Sequence, residues 1–153
     1  MINEFEAYHG SALRDVIVCA APNVISIQAF DDVGRLNTFR LNGHTGLHIK
    51  HCSSRLSPWG FAVTKSVATE LRGLGERVST YWLALVCGED GVVFLSAEKV
   101  ERLIDLNSSS TQNIRVERKK RQMYRISGTS GILDRPVRRG AAEIADHLTE
   151  SGG

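Results

Sequence analysis

Apolar and polar residues alternate along Gly46-Leu47-His48-Ile49-Lys50-His51-Cys52, so Leu47, Ile49 and His51 point one way and His48, Lys50 and Cys52 the other. This period of two predicts a short strand. The lysine in its middle calls for something over its face, because burying an ammonium without a partner is costly. Upstream, Phe5, Ala12, Leu13, Val16, Ile17 and Ala20 recur at helical spacing behind an Asn3–Glu6 capping pair, and Pro22 ends that helix. Residues 24–30 are β-branched and predict a first strand, and Asp31-Asp32-Val33-Gly34 a turn. Residues 35–41 then return as a second strand, and Asn42-Gly43 signals the hairpin into the third.

Downstream, residues 53–60 read as a loop of turn residues that holds Trp59. A helix follows over 64–74, with Val67, Ala68, Leu71 and Leu74 on one face and Gly75 as its stop. Residues 81–87 are apolar on both faces, the pattern of a covered central strand. They turn at 88–91 into a strand at 92–95, and Ser96 caps a helix to about residue 105 that buries Val100, Leu103 and Ile104. After a polar stretch at 107–113, residues 114–118 and 123–127 form a hairpin around Lys119-Lys120-Arg121-Gln122. A short strand at 132–133 and a helix over 141–148 close the chain. The order predicts an α+β fold, a mixed β-sheet flanked by helices, in a single domain. Its parts are a core over 1–106, a polar loop at 107–113, and a basic hairpin with a terminal helix over 114–150.

At 153 residues, with 42% hydrophobic and 24% charged residues, the chain suits one soluble domain. No apolar run reaches the roughly 18 to 20 residues of a membrane helix, and the acidic start Met1-Ile2-Asn3-Glu4-Phe5-Glu6 is unlike a secretory signal. A cytoplasmic protein with no membrane partner is expected. Cys19, Cys52 and Cys87 are odd in number and lack C-x-x-C spacing, which points to reduced thiols. The net charge of +2 conceals an asymmetry: residues 115–139 hold nine basic residues against Glu117 and Asp134. Such a block reads either as a solvated hairpin tip or as the footprint of an anionic partner, DNA or RNA first. Lys50, Arg55, Trp59, Lys119, Lys120, Arg121 and Arg125 are the candidate nucleic-acid contacts. Trp59 beside Arg55 would present a stacking face, or else plug the sheet, and Tyr124 beside Arg125 has the same two readings.

The succession helix, three strands, helix, strand, strand, helix, with a lysine on the third strand, resembles the PD-(D/E)XK (restriction endonuclease-like) superfamily over roughly residues 4 to 104. The resemblance implies an αβββαβ core, with the hairpin and last helix as an elaboration. In that core a second-strand acid and the first letter of (D/E)-x-K on the third strand hold a divalent metal, and the lysine positions or activates water. His48-Ile49-Lys50 occupies the (D/E)-x-K place, so Lys50 carries over and His48 stands where the acid would be. The second strand has no carboxylate. The nearest acids are Asp31 and Asp32 in the turn before it, while Glu4 or Glu6 matches an extra helix glutamate of some members. On this basis Lys50, His48, Asp31 and Asp32 would be the catalytic set, and Glu6, Asp31, Asp32 and His48 the metal ligands.

A hard cation takes oxygen ligands, so the imidazole suggests a member that has lost or moved its metal site. The expected function is nucleic-acid binding by a degenerate nuclease-like core that requires no cofactor. One alternative is a nuclease with a displaced site using Mg²⁺ or Mn²⁺. The other is an accessory subunit that meets an acidic protein partner or its own copy, with no nucleic-acid role. Three further readings stay open at the residue level. Lys50 also fits a lysine snorkelling from an edge strand, Asp31 and Asp32 fit plain turn acids, and His44, His48 and Cys52 share a face as soft ligands for zinc. Cys52 beside His48 has the makings of an activated nucleophile.

Overall fold

Asn3 begins the first helix by accepting a hydrogen bond from the Glu6 amide at 2.8 Å, and α1 (Glu4–Ala20) then buries His9, Ala12, Val16 and Ala20 along one side. The computed structural model describes residues 1–30 and 37–151. Three antiparallel strands follow: β1 (Ile27–Ala29), β2 (Thr38–Leu41) and β3 (Thr45–Cys52). Asn42, Gly43 and His44 make the tight turn between the last two, Asn42 and Gly43 taking left-handed φ of 51° and 74° and the His44 amide donating to the Leu41 carbonyl at 3.2 Å. The chain continues through β4 (Trp59–Val63) and α2 (Lys65–Arg77) into β5 (Thr80–Cys87), which lies parallel to β3 from Thr45↔Thr80 to Cys52↔Cys87. β6 (Gly91–Ser96) returns antiparallel to β5, giving the order β1-β2-β3-β5-β6.

After α3 (Ala97–Leu103), β7 (Gln112–Glu117), β8 (Arg125–Gly128) and β9 (Gly131–Ile132) join β4 in a second, antiparallel sheet of order β4-β7-β8-β9. The last helix is α4 (Ala142–Ser151). Leu47, Ile49, Trp82, Ala84 and Val86 pack under α1 and α4 on one face of the five-stranded sheet. Leu83, Leu85, Val93 and Leu95 pack on the other face against α2, α3 and the inner side of the second sheet. The fold is therefore α+β with a mixed sheet flanked by helices. β5 is apolar on both sides because both sides are covered. Among the described residues no helix is long and apolar enough to cross a membrane.

Three details depart from the sequence pattern. β4 runs where a loop is predicted, because Gly60 and Ala62 on its open face hide an alternation that Trp59, Phe61 and Val63 carry alone. The hairpin accordingly pairs with β4 in a sheet of its own. Gly75 does not stop α2: the helix continues to Arg77 and ends where the Val78 amide donates to the Leu74 carbonyl at 3.1 Å, an interior glycine weakening a helix without breaking it. Residues 24–26 lie outside β1, and Val24 is almost fully exposed.

The seam between α1 and β3 is polar at one point, where His9 Nε2 and His51 Nδ1 share a hydrogen bond of 3.2 Å. Burial first, then the charges of His51 and Lys50, push the His9 imidazole down to about 4 from its ordinary 6.5. The folded state thus gives up a proton that the unfolded chain keeps, and the contribution is complete above pH 6.5 and lost as pH falls toward 4. Urea titrations across that window should show wild-type protein losing on the order of 2 to 3 kcal/mol more than His9→Leu. Parallel profiles for the two proteins would show that His9 is not buried against acid.

Candidate functional site around Lys50

β3 lies between β2 and β5, and its His48, Lys50 and Cys52 side faces α2. The approach of that helix is set at Gly46, where a Cβ would stand only 3.3 Å from Leu74 and Val78. With Leu74 seated over Gly46, Glu70 one helical turn earlier falls over the next residues of the strand. Its carboxylate oxygen lies 3.9 Å from His48 Nδ1, and its charge acts on Lys50.

His48 is fully buried and held from β2, which it faces in register at Thr38. Its Nδ1 lies 3.1 Å from Thr38 Oγ1 and its Nε2 3.3 Å from Asn37 Nδ2, which also donates to the Ile49 carbonyl at 3.4 Å. An amide nitrogen only donates, so Nε2 is the accepting nitrogen and Nδ1 carries the proton toward Thr38. Lys50 is half-buried. Burial lowers its pKa from the ordinary lysine value, and the Glu70 carboxylate opposes that fall. The arrangement among the described residues is one ammonium, one carboxylate and one imidazole, the imidazole held between the accepting Thr38 Oγ1 and the donating Asn37 Nδ2. Among the described residues no three His, Cys, Asp or Glu side chains are grouped to hold a metal.

The other sequence candidates fall into different places. Asp31 and Asp32 lie outside the described residues. Glu6 is exposed on α1, across the sheet from Lys50. His44 sits in the turn before β3, bonded to Thr45 Oγ1 at 2.8 Å with its ring 6.3 Å from His147 of α4, so it does not converge with His48 and Cys52. Cys52 is a half-buried free thiol. Arg55 is exposed in the loop that leaves β3. Trp59 is packed inside, donating Nε1–H to the Ser54 carbonyl at 2.9 Å, with its ring edge-on to Tyr124 at 6.1 Å.

The basic block divides in two. Tyr124 donates its hydroxyl to Asp90 Oδ2 at 2.6 Å, Arg118 Nε donates to the same oxygen at 2.7 Å, and Arg118 Nη2 donates to Oδ1. The Arg118 bond holds the Asp90 carboxyl below its ordinary value despite burial. Arg139 donates to the Asp90 carbonyl at 3.1 Å, and Arg115 pairs with Glu117 at 2.9 Å. Lys119, Lys120, Arg121, Arg125, Arg135 and Arg138 remain exposed. Arg118 N donates to Ser57 Oγ at 3.0 Å, which sets the 118–124 turn beside the Arg55 loop at the end of β3 where Lys50 lies.

Glu70 escapes a sequence reading that follows apolar positions only. Its signal is position: it stands three residues after Val67 and four before Leu74, on the rim of the buried face of α2. Comparison with protein-family models, with curated proteins and with solved structures found no match.

Removing the Glu70 charge should let burial act on Lys50 unopposed. In Glu70→Gln the Lys50 ammonium should therefore titrate at lower pH than in wild type, as followed by side-chain NMR. An unchanged titration would place Glu70 outside electrostatic reach of Lys50.

Proposed function

We propose that this chain is a nucleic-acid-binding protein with a degenerate nuclease-like core, taking phosphates through Lys50, Arg55 and the exposed cations of the turn after β7. The observation that carries this reading is their common end of the molecule. β3 delivers Lys50 there, the loop that follows presents Arg55, and the Arg118–Ser57 bond ties the cationic turn to that loop. Two features support a restriction-endonuclease-like ancestry. One is the antiparallel meander β1-β2-β3. The other is the passage through α2 to a parallel β5, which is the order the PD-(D/E)XK resemblance implies. Among the described residues one carboxylate, Glu70, lies beside Lys50, with the imidazole of His48 where the resemblance would put an acid, and this favours binding over metal-dependent hydrolysis. Three free thiols suit the reducing cytoplasm.

Counterion release makes log K fall linearly with log salt, by about 0.9 per phosphate contacted on duplex DNA. Replacing Lys119, Lys120 and Arg121 together with Ala should weaken binding in fluorescence anisotropy and reduce that slope by up to about 2 to 3 units. Lys50→Ala should change it by no more than about one unit. DNA and RNA should stay intact with Mg²⁺ or Mn²⁺. Cleavage that disappears in Lys50→Ala would establish the nuclease instead, and a triple variant with unchanged affinity and slope would exclude the turn as the contact.

A further inference from the structure

Resting on the nucleic-acid reading, we infer that the binding surface is blind to the bases: it holds the phosphodiester chain alone, whatever the sequence and whether or not bases are present. Three observations lead there. The first concerns stacking on aromatic rings, which needs an open ring face. The chain has two Trp, three Tyr and five Phe, and every one of these rings is buried or half-buried. The two that adjoin the cationic turn, Trp59 and Tyr124, are only 2% and 0% exposed. Of the half-buried rings, Phe5 lies on His9 at 3.9 Å and Tyr8 on His51 at 5.4 Å, while Phe39 packs with the α1 and α4 layer.

The second observation is that the polar ends of those two rings are already engaged. The Trp59 N–H is given to Ser54 and the Tyr124 hydroxyl to Asp90, so neither is left to address a base edge. The third is the posture of the cationic turn. Reading a groove takes a helix or ribbon that stands out from the body. Here the turn is tied down at both ends: Arg118 by Ser57 and Asp90, and Tyr124 by paired backbone bonds with Val137 of 2.9 and 2.8 Å. Lys119, Lys120 and Arg121 are thus charges on a surface close to the body, which suits a phosphate chain passing over it.

The test uses wild-type protein throughout. Labelled oligothymidine, an abasic strand of equal length and inorganic polyphosphate as competitor are compared by anisotropy at one low salt concentration. The abasic strand should bind within about threefold of oligothymidine, because a single stacked base would contribute roughly fivefold to more than a hundredfold. Polyphosphate should displace either strand. An abasic strand weaker by about fivefold or more, or a complex that polyphosphate cannot displace, overturns base-blindness and leaves nucleic-acid binding standing. Failure of every strand to bind removes the nucleic-acid reading and this inference with it.

Discussion

A lysine on an interior strand governs the architecture around it. β3 is covered on both faces, so its polar residues must find partners inside the protein, since an unpaired buried charge costs several kcal/mol. Residues 45–49 are fully buried and residues 50–52 half-buried, which leaves the Lys50 ammonium at the boundary between interior and solvent. Each neighbouring element answers one part of this demand. Gly46 admits α2 closely enough to bring Glu70 over the strand, β2 offers Thr38 and Asn37 to His48, and α1 offers His9 to His51. Apolar packing of Leu47, Ile49, Leu83 and Leu85 supplies the drive to bury β3 and β5, and these polar contacts make that burial tolerable.

The same logic applies at Asp90. A carboxylate in the turn after β5 collects Arg118 and Tyr124 and so docks the second sheet's long turn against the first sheet. Charge that looks uniform along residues 115–139 is in fact of two kinds. Arg118 and Arg139 turn inward to the Asp90 segment, while Lys119, Lys120 and Arg121 face outward within a few residues of them. A charge count has no means of separating an arginine that fixes a turn from a lysine that stays in solvent.

Period and capping carried the reading of the sequence furthest where one face is apolar over a whole element. The Asn3 cap, the alternation around Lys50, the two-sided apolar run of β5 and the Asn42-Gly43 turn all state their geometry locally. β4 was hidden because Gly and Ala occupy its open face, and a glycine on a strand looks like a turn. Gly75 signals a stop that α2 overrides, since an interior glycine costs a helix only about 1 kcal/mol relative to alanine. The site was legible at Lys50 and His48, whose strand has a clear period. Glu70 was not, because its meaning depends on the crossing of α2 over β3. Nor was the burial of Trp59, since Pro58-Trp59-Gly60 looks equally like an exposed loop until β7 pairs with it.

The proposal made for Lys50 is that it serves a phosphate rather than a metal ion, with Glu70 and His48 beside it. Paramagnetic Mn²⁺ titrated into the ¹⁵N-labelled protein tests it directly, because the ion broadens amide signals near any site it occupies. The account predicts no selective broadening of the amides of His48, Lys50 and Glu70 as Mn²⁺ is added. Broadening that begins at those three residues and saturates with a single site would contradict it and make this a metal centre.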